Sequence, residues 1–349
     1  GQIMECFTPQ DLPVINGLAR HFAVSDRYFS SVPTQTNCNR AFAAAGNSLG
    51  NNDDGHLQAW VNNRNSGLLQ FGQPQGTQFN GKTIWNVLSD NGRGEPSDWM
   101  IFNSCGSWLA NRLGAEGYQY TRKIMEELQD PRFDAHFATM GEPGSTAADT
   151  FFGMVANGNL PTFSFLEPQW GLGSISRLGF TGNDYHPPKN VRQGEEFLKS
   201  IYDALTANKE IWDSLLFIIN FDEHGGTYDH VPPPWNAAPP WADGGTPRPE
   251  FLEGGFEFDR FGVRVPLILV SPLVAESTVF RAKGDTPGDN SSSPPYDHAS
   301  VIATVLNLMG VDKSRWGLGA RVADAPRFDN VLTDQLRTDV PTLGTNPAW

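Results

Sequence analysis

The chain has 349 residues, of which 39% are hydrophobic and 18% charged. That composition excludes a disordered chain and is enough to bury one large core, so residues 1–349 read as a single domain. The formal net charge of −14 excludes a general nucleic-acid face, because binding to phosphate backbones needs a basic surface.

From the N-terminus, Val14 to Phe22 predicts a helix. After it, Ser31 to Arg40 packs hydroxyls, amides and one guanidinium into a polar stretch around Pro33 and Asn37. Such a mixture suits a nucleophile set beside donors for a phosphoryl oxygen; the plainer reading is a polar loop punctuated by proline. Cys6, Cys38 and Cys105 fit no zinc spacing and cannot all pair with one another. His136 lies among aromatics and reads as structural, while His21 and His56 carry no signal.

Thr162 to Leu166 is a short strand candidate. Asn183-Asp184-Tyr185-His186-Pro187-Pro188 follows, its prolines fixing an extended segment that holds His186, a group able to protonate a leaving oxygen near neutral pH. Glu195 to Ala207 places Phe197, Leu198, Ile201, Tyr202 and Leu205 on one helical face. Leu215 to Phe221 is an apolar run broken only by Asn220, the pattern of a parallel strand covered on both faces.

That run ends in Asp222-Glu223-His224-Gly225-Gly226, with Tyr228-Asp229-His230 close behind. Adjacent carboxylates at a buried strand end suit a divalent cation, and the glycines let the backbone turn sharply beneath them; the alternative is a solvated acidic turn. Val265 to Val270 is another buried strand, and Ser300 to Met309 a helix that Asp297, in Tyr296-Asp297-His298, is placed to cap. Two Pro/Gly-rich stretches, Val231 to Gly255 and Lys283 to Pro295, read as walls of a cleft beyond the strand ends. Strands alternating with helices give an α/β architecture with a mostly parallel sheet.

Taken in order, these segments resemble the phosphoesterase family of bacterial and plant non-specific phospholipases C and certain acid phosphatases. The likeness runs from about Pro13 to Met309. Its marks are Leu12-Pro13-Val14, Ser25-Asp26-Arg27, Ser31-Val32-Pro33 through Thr36 and Asn39-Arg40, Leu160-Pro161-Thr162, Asn183-Asp184 with His186-Pro187, Asp222 through Gly226 with Asp229-His230, Phe261 through Pro266, and Asp297-His298-Ala299-Ser300. The resemblance implies an alkaline-phosphatase-like three-layer sandwich with a mostly parallel central sheet. It implies Thr36 as nucleophile, Asp222 and Glu223 with Thr36 as ligands of one divalent metal ion, His186 near the leaving group, and Asn39 and His298 as further catalytic residues. The implied substrate is a phospholipid or a small phosphate ester. Transient membrane-surface contact is expected, in a secreted or periplasmic protein, with a cytoplasmic one as the alternative.

One departure stands out. The family opens with a Glu-Asn-Arg-Ser-Phe-Asp-like stretch that completes the metal site, and nothing before Gln2-Ile3-Met4 corresponds to it. The expectation is a missing N-terminal segment that is either an associated partner of this chain, removed from it, or lost from a catalytically silent binding or scaffold relative. A metal-dependent sulfatase is the weaker enzymatic alternative, since its cysteine or serine modification motif is not found.

Overall fold

The computed structural model describes residues 4–51, 54–61, 79–104, 119–170, 182–187, 190–241 and 249–344. The expectations that involve Cys105 and Pro188 lie outside them. Described strands are, in chain order, β1 (Ala23–Ser25), β2 (Leu49–Asn51), β3 (Leu57–Ala59), β4 (Trp99–Asn103), β5 (Phe137–Thr139), β6 (Phe163–Glu167), β7 (Phe217–Asn220), β8 (Leu267–Val270) and β9 (Thr278–Phe280). The helices that matter for the site are α1 (Pro13–His21), α2 (Thr36–Ala45), α3 (Ile84–Asp90), α4 (Tyr120–Ile124), α5 (Phe151–Ala156), α6 (Arg192–Ala207) and α7 (His298–Leu308).

Strand β4 explains how the molecule is layered. All five of its residues are buried, and alternate side chains of a strand point to opposite faces. Trp99 and Ile101 accordingly enter a core built with Phe42, Trp85 and Leu306. Met100 and Phe102 enter a second core with Leu18, Ile201, Ile219 and Leu269. A strand sandwiched this way needs apolar residues at every position, and Trp99-Met100-Ile101-Phe102 supplies them.

β4 pairs in parallel with β5 on one side and β6 on the other, with Ile101 opposite Phe137 and Phe165. A second sheet runs in the order β7-β8-β1-β9. Here β1 and β9 are parallel, whereas β8 is antiparallel to both β1 and β7. The expectation of a parallel strand at Leu215 to Phe221 is therefore corrected: the strand forms, trimmed to Phe217–Asn220, but it runs against β8, with Ile219 opposite Ile268. An unbroken apolar run reports burial and carries no information about neighbour direction. Its one polar interruption is satisfied, Asn220 donating to the Tyr28 hydroxyl at 3.1 Å.

Two helices pack against the cores. α6 turns Leu198, Ile201, Tyr202 and Leu205 inward, as its spacing predicts. α7 begins two residues earlier than Ser300, because Asp297 occupies its N-cap and the Ser300 hydroxyl accepts from the Asp297 amide at 3.1 Å. His136 is structural: its ring stacks on Trp99 at 3.6 Å and Nδ1 donates to the Trp99 carbonyl at 2.8 Å.

Candidate active site at the strand ends

Asp222 stands one residue past the end of β7. Its Oδ1 accepts from the Glu223 amide at 3.0 Å, while Oδ2 is buried with no hydrogen-bond partner. Burial pushes this carboxyl above the usual carboxylate range; the Arg40 charge pulls it back and the Glu223 charge pushes further up. Glu223 is turned the other way, its Oε2 accepting from the Gly225 amide at 2.6 Å. That turn needs glycine, since Gly225 has φ 63° and a Cβ there would meet Pro187 Cδ at 2.5 Å.

The close approach of Gly225 to Pro187 seats the His186 loop against the acidic turn. His186 Nδ1 donates to the Pro187 carbonyl at 2.6 Å, which leaves Nε2 facing Glu223 Oε1 at 3.8 Å. Half of the ring is exposed. Tyr185 sustains this loop at φ 56°, an uncommon conformation for a bulky residue. It does so by donating to Glu195 Oε1 at 2.7 Å. Glu195 is itself fully buried and accepts from the first-turn amides of Val14 and Ile15 at 2.6 and 3.1 Å, so one carboxylate caps α1 and holds the loop.

Thr36 lies in the first turn of α2, where uncommitted amides and the helix dipole favour negative charge. No hydrogen bond engages its hydroxyl among the described residues. Asn39 is fully buried one turn on: its Oδ1 accepts from the Val32 amide at 3.1 Å, and Nδ2 donates to the carbonyls of Val32 and Thr34 at 3.1 and 3.0 Å. In this position Asn39 folds the 32–35 loop onto α2 and thereby places Thr36.

Arg40 shares the helix face of Thr36 and joins α2 to the end of β6. Its charge acts on Asp222 after β7. Its NH2 donates to Glu167, the last residue of β6, and to Thr121 Oγ1 at 2.8 Å. Thr121 completes the knot, giving its amide to Glu167 at 3.0 Å and its hydroxyl at 2.6 Å.

His298 begins α7. It is fully buried, its Nδ1 accepts from the Ser31 amide at 3.3 Å, and its Nε2 donates to the Phe221 carbonyl at 3.0 Å. Both ring nitrogens are thus engaged, Nδ1 by the amide and by the hydroxyl of Ser31, the latter at 3.0 Å, and Nε2 by the carbonyl just before Asp222. Burial holds the imidazole below its usual pKa, hence neutral, in keeping with that tautomer. Ser31 Oγ donates to Asp297 Oδ2 at 2.9 Å, and Arg321 Nε reaches the same oxygen at 2.9 Å.

The expected cluster of three carboxylates and two imidazoles divides in two. Asp229 leaves it for a bidentate pair with Arg264 at 2.7 and 2.8 Å, and the His230 side chain is 80% exposed. Glu167, Thr121 and Tyr185 were not marked by sequence spacing. Glu167 at the end of β6 carried a legible signal, a lone carboxylate closing a strand whose apolar neighbours predict burial.

A divalent cation was expected at Asp222, Glu223 and Thr36. The unpartnered Asp222 Oδ2 fits a cation donor, but no three His, Cys, Asp or Glu side chains among the described residues gather into a group able to hold a metal ion. No described helix is long and apolar enough to cross a membrane.

Comparison with known proteins bears on this geometry. Non-specific phospholipase C6 of Arabidopsis thaliana is 32% identical over 343 residues, covering 97% of this chain and 55% of its own length. Non-specific phospholipase C4 of the same plant is 32% identical over 98% of this chain, and phospholipase C A of Mycobacterium tuberculosis is 26% identical over 88%. The chain spans about half the length of these curated relatives. Among solved structures, a protein of the alkaline phosphatase superfamily from Vibrio parahaemolyticus matches with a TM-score of 0.42 at 11% identity, over 90% of this chain and 64% of that one, a likeness too loose to fix the topology. The model of the phosphoesterase family matches residues 1–312, and the chain belongs to that family.

Proposed function

We propose that this protein hydrolyses phosphate esters, phospholipid head groups foremost, with Thr36 as the nucleophile. The observation that carries the reading is the approach of His186 Nε2 to Glu223 Oε1, at 3.8 Å, beside the buried and unpartnered Asp222 Oδ2 just past the end of β7. The names of the phospholipase relatives support a lipid substrate, and the core on each face of β4 supports an alkaline-phosphatase-like layering.

In this mechanism the Thr36 oxygen forms a bond to phosphorus as the bond to the leaving alcohol breaks. The hydroxyl proton passes to water, and the leaving oxygen takes the proton held at His186 Nε2. Water then attacks the phosphothreonine, one of its protons returning to Nε2, and the phosphoryl product is released as the Thr36 oxygen leaves and takes back from solvent the proton it gave up in the first step. The first-turn amides of α2 face the phosphoryl oxygens, whose charge the helix terminus favours. Asp222 and Glu223 are proposed to hold a divalent cation, which when bound supplies positive charge to an otherwise acidic centre.

The test is hydrolysis of nitrophenyl phosphorylcholine and nitrophenyl phosphate, with and without added divalent cations. Turnover lost in Thr36→Ala supports the reading, and unchanged turnover in that variant refutes it. One observation favours a catalytically silent relative, namely that the described residues assemble no three-donor metal group. Absence of turnover with every cation supplied, in a folded protein, decides for that reading.

A further inference from the structure

We propose that Arg40 is the phosphoryl-binding residue of this site and that Glu167 is the residue that positions it. The proposal deepens the phosphate-ester reading and rests on it.

Arg40 is held in one place from several directions. Its NH2 is tied to Glu167 and Thr121, and its guanidinium lies over the rings of Tyr120 and Trp170, at 5.1 and 4.6 Å from their centroids. An arginine locked this way loses little further freedom on meeting a ligand. What it leaves uncommitted is informative. Arg40 Nε is buried without a hydrogen-bond partner, as are Trp170 Nε1 and Glu167 Oε2. Unmatched buried polar groups are costly, so three of them, on Arg40 and on two residues that touch it, mark a place where polar partners arrive from outside the fold.

The chemistry of the three atoms identifies the ligand class. Two N–H donors match two phosphoryl oxygens, and the free oxygen of Glu167 matches the O–H of a singly protonated phosphate. Guanidinium is the side chain best suited to such recognition. Its position on the helix face of Thr36 sets it toward the group that Thr36 attacks. In a chain with net charge −14, a fixed cation at this point supplies local positive charge for an anionic ligand.

Binding of inorganic phosphate by the full chain, followed by titration calorimetry, tests the assignment separately from turnover. Arg40→Gln is expected to weaken phosphate binding at least ~30-fold, Arg40→Lys by about 10-fold, and Thr36→Ala by less than about 3-fold while abolishing turnover. Phosphate affinity unchanged in Arg40→Lys and Arg40→Gln overturns the proposal. If Arg40→Gln fails to fold, Arg40→Lys decides alone, since it keeps a cation beside Glu167. Phosphate binding that depends on Arg40 in a protein without ester turnover upholds the anion site and sinks the functional reading; turnover with no phosphate binding or product inhibition in the unaltered chain does the reverse.

Discussion

Two buried polar clusters flank the strand ends, and they differ in how completely they satisfy themselves. Around His298, every group has a partner within the fold: Ser31, Asp297, Arg321 and the Phe221 carbonyl account for one another. Around Arg40, a guanidinium nitrogen, an indole nitrogen and a carboxylate oxygen have none, and Asp222 adds another. A closed network specifies a core. An open one, at the same depth, is where chemistry from outside the chain is received.

Substitutions break this contrast in measurable ways. Thr36→Ala strikes the open cluster and is expected to lower kcat at least ~1,000-fold with circular dichroism unchanged. Asp297→Ala strikes the closed one. It strands the buried Arg321 charge and should cost about 3–5 kcal/mol in denaturant unfolding, a loss read in stability first. Equal activity losses with equal stability losses in the two variants would erase the distinction.

A smaller effect sharpens it. Gly225→Ala forces a Cβ against Pro187 at a left-handed position, so it should cost about 1–2 kcal/mol of stability and reduce turnover by displacing His186, with phosphate affinity left intact. Retention of full turnover would detach His186 from the mechanism.

The sequence made the long elements legible because burial and helical period are local signals. α6 and the strand β8 fall where Glu195 to Ala207 and Val265 to Val270 place them, and the acidic turn follows β7 as expected. What it did not carry is relational. β7 runs against β8 although its apolar run is indistinguishable from that of a parallel strand. Asp229 stands beside the candidate ligands in sequence yet belongs to Arg264 in space. Asn39 and His298 look alike as polar motif residues, and only the structure separates their partners: Asn39 holds the 32–35 loop to α2, and His298 donates to the Phe221 carbonyl.

The smallest expected effect lies outside both clusters. Hydrogen bonds from Arg264, working against burial, hold the Asp229 carboxyl below its usual pKa of 3.8. A carboxyl depressed in the folded state contributes stability above its unfolded pKa and loses it as pH falls through the folded value. Asp229→Asn should therefore cost about 1 kcal/mol at neutral pH, with the gap to the unaltered protein closing below about pH 4. A gap that persists unchanged into acid would remove the ion pair from the account.

The most direct measurement is acid quenching of the protein during turnover of nitrophenyl phosphorylcholine, followed by mass analysis of the peptide that carries Thr36. A phosphorylcholine adduct on Thr36, missing in Thr36→Ala, is the predicted result. Sustained turnover with no adduct on that peptide, equal in both proteins, would contradict the claim that the open cluster at the strand ends delivers a threonine to phosphorus.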